Sequence, residues 1–133
     1  MLESLDNPIW SALTTEHRLL ARSRGLARRY PPDVSPFAAF LHPTKDAFAD
    51  LQRLVSSGEH VALFTASPLD VPGDWQVDRS RWIDQMICEA SLAPPPVAPL
   101  PLGTTDVPKM LELTSTPDGG EIFADSIGRG KAP

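Results

Sequence analysis

Five of the eight residues from Pro94 to Pro101 are proline. Proline removes a backbone donor and disfavours the helical region for its predecessor. The stretch is therefore expected to be an extended, semi-rigid spacer in the polyproline conformation. It partitions the chain into residues 1–91, a linker at 92–101 and a remainder at 102–133. About thirty residues do not fold alone without metal or disulfides. The remainder therefore reads as the opening of a larger unit. The chain has 133 residues and a 41% apolar fraction, which suits one small globular domain with a core of its own.

Charge and cysteine narrow the class. Twelve basic and seventeen acidic residues give a net charge of −5, which argues against a general nucleic-acid binder. A single cysteine, Cys88, excludes an internal disulfide and a cysteine-rich zinc site. The start of the chain carries Glu3 and Asp6 with no early apolar run, so no secretory signal is expected. No run approaches the roughly 18 apolar residues of a membrane span. The expected setting is a reducing cytoplasm.

Local patterns give a coarse map. Asn7 and Pro8 start a short helix. A second start is expected at Thr14 and Thr15, opening onto a basic run of Arg18, Arg22, Arg24, Arg28 and Arg29. That run is either a patch for an acidic partner or a solvated helix face. Alternation through Val34, Pro36, Ala38 and Phe40 suggests an edge strand or extended loop. Thr44 caps a helix whose apolar positions Ala47, Phe48, Leu51, Leu54 and Val55 keep helical spacing, with Ser57 and Gly58 ending it. His60 to Ala66 is apolar on both alternating faces, as in a strand buried on both sides. Helix followed by strand across a short glycine turn implies an α+β (mixed α/β) fold, with helices packed on a mixed sheet. Periodicity from Trp82 to Ala90 leans to helix but also allows a strand. Beyond the linker, Leu100 to Gly103 suits a short strand. Thr104, Thr105, Asp106 and Pro108 then open a helix lined by Val107, Met110, Leu111 and Leu113.

Candidate chemistry is sparse. His17, His42 and His60 lack the spacing of a metal site. Cys88 is a nucleophile only if a base such as His60 lies beside it, and a buried inert cysteine is the simpler reading. Trp10, Trp75 and Trp82 serve packing or ligand stacking. No Gly-x-Ser-x-Gly elbow or dinucleotide fingerprint occurs. Gly128, Arg129, Gly130 and Ala132 form a Gly-x-Gly-x-Ala run of the type whose backbone N–H groups cradle pyrophosphate when a helix follows.

Several separated runs share a resemblance: Asn7 to Leu13, Ala27 to Ala39, Gly58 to Phe64, Gln85 to Cys88 and Leu102 to Leu113. In this order they resemble the N-terminal half of a two-part bacterial family of GNAT-type N-acetyltransferases, over roughly residues 5–115. The resemblance implies a partial GNAT-like sheet with flanking helices, a strand at Gln85 to Cys88, and the first strand and helix of an acetyl-CoA-binding domain from Leu102 to Leu113. It implies transfer of an acetyl group from acetyl-CoA to an amine. It matches Gly128, Arg129 and Gly130 to the cofactor loop. Ile127 stands there in place of a basic or amide residue and Lys131 in place of an aromatic. The family's central strands have no counterpart, so a truncated acyltransferase, inactive alone, is expected, with a homodimer through the exposed domain interface as one outcome. The competing expectation is a non-catalytic interaction or regulatory module.

Overall fold

The computed structural model describes residues 3–115. The chain divides into a first unit, Met1–Val77, and a second, Asp78–Pro133, a boundary earlier than the linker at 92–101. The first unit contains α1 (Glu3–Asp6), α2 (Pro8–Thr14), β1 (Arg22–Arg24), β2 (Ala27–Arg29), β3 (Phe37–Phe40), α3 (Lys45–Gln52) and β4 (Ala62–Leu63). The α+β class holds: the four strands form one mixed sheet in the order β1-β2-β3-β4. β1 and β2 are antiparallel, as are β2 and β3, while β3 and β4 are parallel. A parallel pair needs a crossover, and α3 supplies it.

The register assigns the faces. Ala27 lies opposite Phe40 and Arg29 opposite Ala38, so these four residues share the face that meets α3. There Ala27, Ala38, Phe40, Ala47, Phe48 and Leu51 form the core. Alanines at the contact let α3 lie close to the sheet, and Phe40 and Phe48 fill the remaining volume with ring centroids 4.9 Å apart. Leu69, Val71 and Trp75 close over its margin. On the opposite face the Arg28 guanidinium sits 5.2 Å from the Trp10 ring centroid of α2. Leu13 of α2 is fully buried.

Several expectations are corrected. The second helix start at Thr14 and Thr15 does not form. Residues 15–20 are turns, and the arginine run enters a β-hairpin. Gly25 makes the hairpin possible: its φ is +50°, and the following Leu26 keeps a negative φ. Positive φ at only the first central residue is the pattern of a tight type II′ loop. A side chain at Gly25 would also collide with the Asp50 carboxylate, which accepts a 2.8 Å hydrogen bond from the Leu26 N–H. Gly25→Ala is expected to cost about 2 kcal/mol, from the left-handed backbone and the displaced carboxylate. Urea unfolding measures it.

The two apolar strands exchange roles. β3, expected at an edge, is interior between β2 and β4. Its residues 38–40 are buried. The prolines at 31, 32, 36 and 43 bracket it without entering it, so every N–H of β3 remains available for pairing. The strand expected from His60 to Ala66 shrinks to Ala62 and Leu63, half-buried at the sheet edge. Asn7 does not cap α2 through its side chain. Its Nδ2 instead donates to the Phe40 carbonyl at 2.9 Å, tying α2 to the end of β3.

α3 starts as read: Thr44 Oγ1 accepts from the Ala47 N–H at 3.1 Å. The helix ends at Gln52 rather than near Gly58. Leu54 and Val55 still pack on the core from the turns that follow.

In the second unit, the described residues contain a 3₁₀ turn at Thr104–Asp106 and α4 (Val107–Thr114), in agreement with the expected helix. The Gly103 N–H donates to Asp106 Oδ2 at 2.9 Å, fastening the turn at its start. The strands expected at Gln85 to Cys88 and Leu100 to Gly103 are absent from the described residues. A strand exists only where a neighbour takes its backbone N–H and C=O groups. No described residue pairs with either segment. Residues 92–101 carry no regular structure and are exposed.

Candidate functional site

The most connected polar group of the first unit is Arg29. Its side chain is 1% exposed. Position 29 of β2 aims it under the end of α3. There Nε donates to the Tyr30 carbonyl at 3.0 Å, Nη1 to the Leu54 carbonyl at 3.0 Å and Nη2 to Glu59 Oε1 at 2.7 Å. Glu59 Oε2 in turn accepts from the Ser56 N–H at 2.8 Å. One guanidinium thus joins β2, the turn that follows α3 and the segment leading to β4. A buried charge is tolerable only when paired and hydrogen-bonded in this way. The arrangement is structural: Nε, Nη1 and Nη2 each donate to the chain itself.

The hydrogen bond from Arg29, with the Ser56 N–H second, holds the Glu59 carboxyl below the ordinary value of 4.5. A carboxyl whose pKa is lower folded than unfolded adds stability above its unfolded pKa. It loses that contribution as pH falls through the folded value. The first unit is therefore expected to lose stability as pH drops below 4.5. Glu59→Gln should flatten that acid limb while costing about 2 kcal/mol at neutral pH, the worth of a charge-assisted hydrogen bond. Urea midpoints measured from pH 3 to 7 for both proteins check this.

His17 and Tyr30 form a second polar pair, with Nδ1 2.6 Å from the phenol oxygen. Burial raises the Tyr30 phenol above 10.0. The pair closes the turn before β1 onto the end of β2.

A cleft of about 290 Å³ opens at the carboxyl ends of the parallel strands β3 and β4. Phe40, Leu41, Leu63 and Leu69 contribute apolar wall, and Asp6, Asn7, Thr65 and Ser67 polar wall. Crevices at the carboxyl ends of parallel strands are the usual ligand positions in such sheets.

The remaining candidates disperse. Gly128, Arg129 and Gly130 lie outside the described residues. His60 belongs to the first unit and Cys88 to the second. Cys88 is exposed rather than buried, and its Sγ lies 3.3 Å from the Ala90 carbonyl. Trp10 and Trp75 serve packing, as expected. Trp82 is 83% exposed. Among the described residues no three of His, Cys, Asp and Glu gather as metal ligands. No described helix is long and apolar enough to cross a membrane.

The second unit presents apolar surface instead. Met86 is 94% exposed, and Ile83, Ile87, Leu92, Val97, Leu100 and Leu102 are also exposed. α4 buries none of its residues although Val107, Met110, Leu111 and Leu113 lie along it. The sequence grouped Ile83, Met86 and Ile87, and Val107, Met110, Leu111 and Leu113, on apolar faces, and the described residues supply no core for them. Comparison with protein families, with characterised proteins and with solved structures finds no match for this chain.

Proposed function

We propose that this chain is the N-terminal portion of a GNAT-type N-acetyltransferase-like protein. The first unit is its non-catalytic half, and α4 is the opening helix of the half that holds acetyl-CoA. The activity of the whole is transfer of the acetyl group of acetyl-CoA to an amine. The described residues position that half and do not perform the transfer. In a direct transfer, most of the rate would come from holding amine and thioester together and from backbone donors at the developing oxyanion.

The observation that supports this reading is α4 itself. It is a helix with an apolar stripe and no buried residue. An eight-residue helix is marginal in water without a surface to pack on. A stripe of this kind, following a proline spacer, suits a helix whose sheet lies in further sequence. The single exposed Cys88 suits a reducing cytoplasm.

The same exposed surface suits the second reading, a non-catalytic interaction module that docks α4 on a separate partner or on a second copy. The coding DNA distinguishes the two. Under the acetyltransferase reading, the sequence beyond codon 133, in one of its three frames, encodes further strands and a loop of the Arg/Gln-x-x-Gly-x-Gly/Ala type. A downstream region with no such segment in any frame removes that reading and leaves the interaction module.

A further inference from the structure

We propose that the cleft at the carboxyl ends of β3 and β4 binds a small apolar amine in its ammonium form. Among the described residues, Asp6 is the only charged one in the cleft wall. It has no ion-pair partner among the described residues. Two polar side chains beside it keep free acceptors. Asn7 spends one Nδ2 hydrogen on the Phe40 carbonyl, which orients the amide and leaves Oδ1 to accept beside one remaining N–H. Thr65 spends its hydroxyl proton on the Ser67 carbonyl at 2.7 Å, so its oxygen too can only accept. The one carboxylate, with acceptors at Asn7 and Thr65, suits a group that is cationic and rich in donors. An ammonium has three donors and no acceptor. An anion would meet like charge at Asp6 instead.

The rest of the wall sets the body of the ligand. Phe40 is 4% exposed and forms part of the core, so that wall is rigid. With Leu41, Leu63 and Leu69 it offers apolar surface suited to one ring or a short alkyl chain. A volume of about 290 Å³ lies at the small end of ligand pockets. Strand topology adds independent support. The cleft lies at the sheet's one parallel pair and is lined by the β3-to-α3 loop and the segment after β4.

The inference stands apart from the acyl-transfer reading, because amine binding is measured without acetyl-CoA. Its failure would leave that reading untouched, and the reverse also holds. The test titrates the full chain with 2-phenylethylamine and, separately, with 3-phenylpropanoate, followed by NMR shift changes. The amine is expected to bind saturably and to move the resonances of Phe40, Leu63 and Leu69. The carboxylate, similar in shape and opposite in charge, should bind about tenfold more weakly or not at all. Asp6→Asn is expected to weaken the amine about tenfold and leave the thermal midpoint in place, since Asp6 is exposed. Equal binding of the two probes, an unaffected Asp6→Asn variant, or no saturable binding of the amine would each overturn the proposal.

Discussion

Arg29→Ala is expected to destabilise the first unit by about 3–5 kcal/mol, the usual cost of breaking a buried ion pair from one side. The substitution strands the Tyr30 and Leu54 carbonyls and leaves Glu59 without its cation. It also opens a void under α3 where a fully buried side chain stood. A domain of this size is stable by only about 4–12 kcal/mol, so the variant should be partly unfolded at 37 °C. Arg29→Met paired with Glu59→Gln is expected to recover part of the loss. Methionine refills the volume, and no unpaired carboxylate remains, although the two carbonyls still lack a donor. Urea unfolding followed by circular dichroism separates these outcomes. An Arg29→Ala protein within 1 kcal/mol of the parent would mean that the guanidinium is replaceable by water, and that the three elements are not held through it.

Phe48→Ala should produce a loss of similar size by a different route. Phe48 is 3% exposed and stands between two other rings. The Phe40 centroid is 4.9 Å away and the Trp75 centroid 6.2 Å. Truncation removes a large side chain by which α3 meets both Phe40 of the sheet and Trp75. Aromatic-to-alanine changes in cores cost about 3–5 kcal/mol, and more when the cavity cannot collapse. Fully buried Ala27, Ala38 and Ala47 line the same contact and have no side chain long enough to fill the gap. The thermal midpoint is expected to fall by about 15 °C or more, as estimated for a domain of 60–100 residues. Phe48→Leu, which keeps most of the volume, should lose less than half as much. Equal losses for the two variants would show that the ring contacts, rather than the filled volume, hold this core.

The sequence revealed those parts of the fold whose causes are local. The Thr44 cap and the spacing of Ala47, Phe48 and Leu51 lie within eight residues and specify α3 almost alone. α4 was legible for the same reason, since Thr104 to Pro108 carry its start signals in one short stretch. The hairpin was not legible. Arginine and serine on β1 show no apolar alternation, and one glycine inside a run of arginines resembles a weakened helix more than a turn. Its cause is long-range: the Asp50 carboxylate receives Leu26 from 24 residues away.

Arg29 was read as part of a solvated run because a buried arginine cannot be recognised without its partners. Those partners are Glu59, 30 residues distant, and the Leu54 carbonyl, 25 residues distant. The exchange between β3 and β4 has a similar origin. Apolar content made His60 to Ala66 look central, but position in a sheet is set by which strands find partners on both sides. β3 finds two and β4 one. The cleft was invisible for the strongest form of this reason, since Asp6 and Leu63 to Leu69 meet only after the sheet and α3 have formed.

Under the function proposed above, the chain is half of an acetyl-transfer protein and acetyl-CoA is held outside the described residues. Calorimetric titration of acetyl-CoA tests that claim directly. The chain should first be shown to be folded by a cooperative melt. It is then titrated alone, and again after joining to the segment encoded downstream. The expected result is no micromolar binding by the chain alone and micromolar binding by the joined protein. Tight binding by the 133-residue chain alone would place the cofactor site within it. No binding by either would contradict the acetyltransferase reading and leave a module that works by docking.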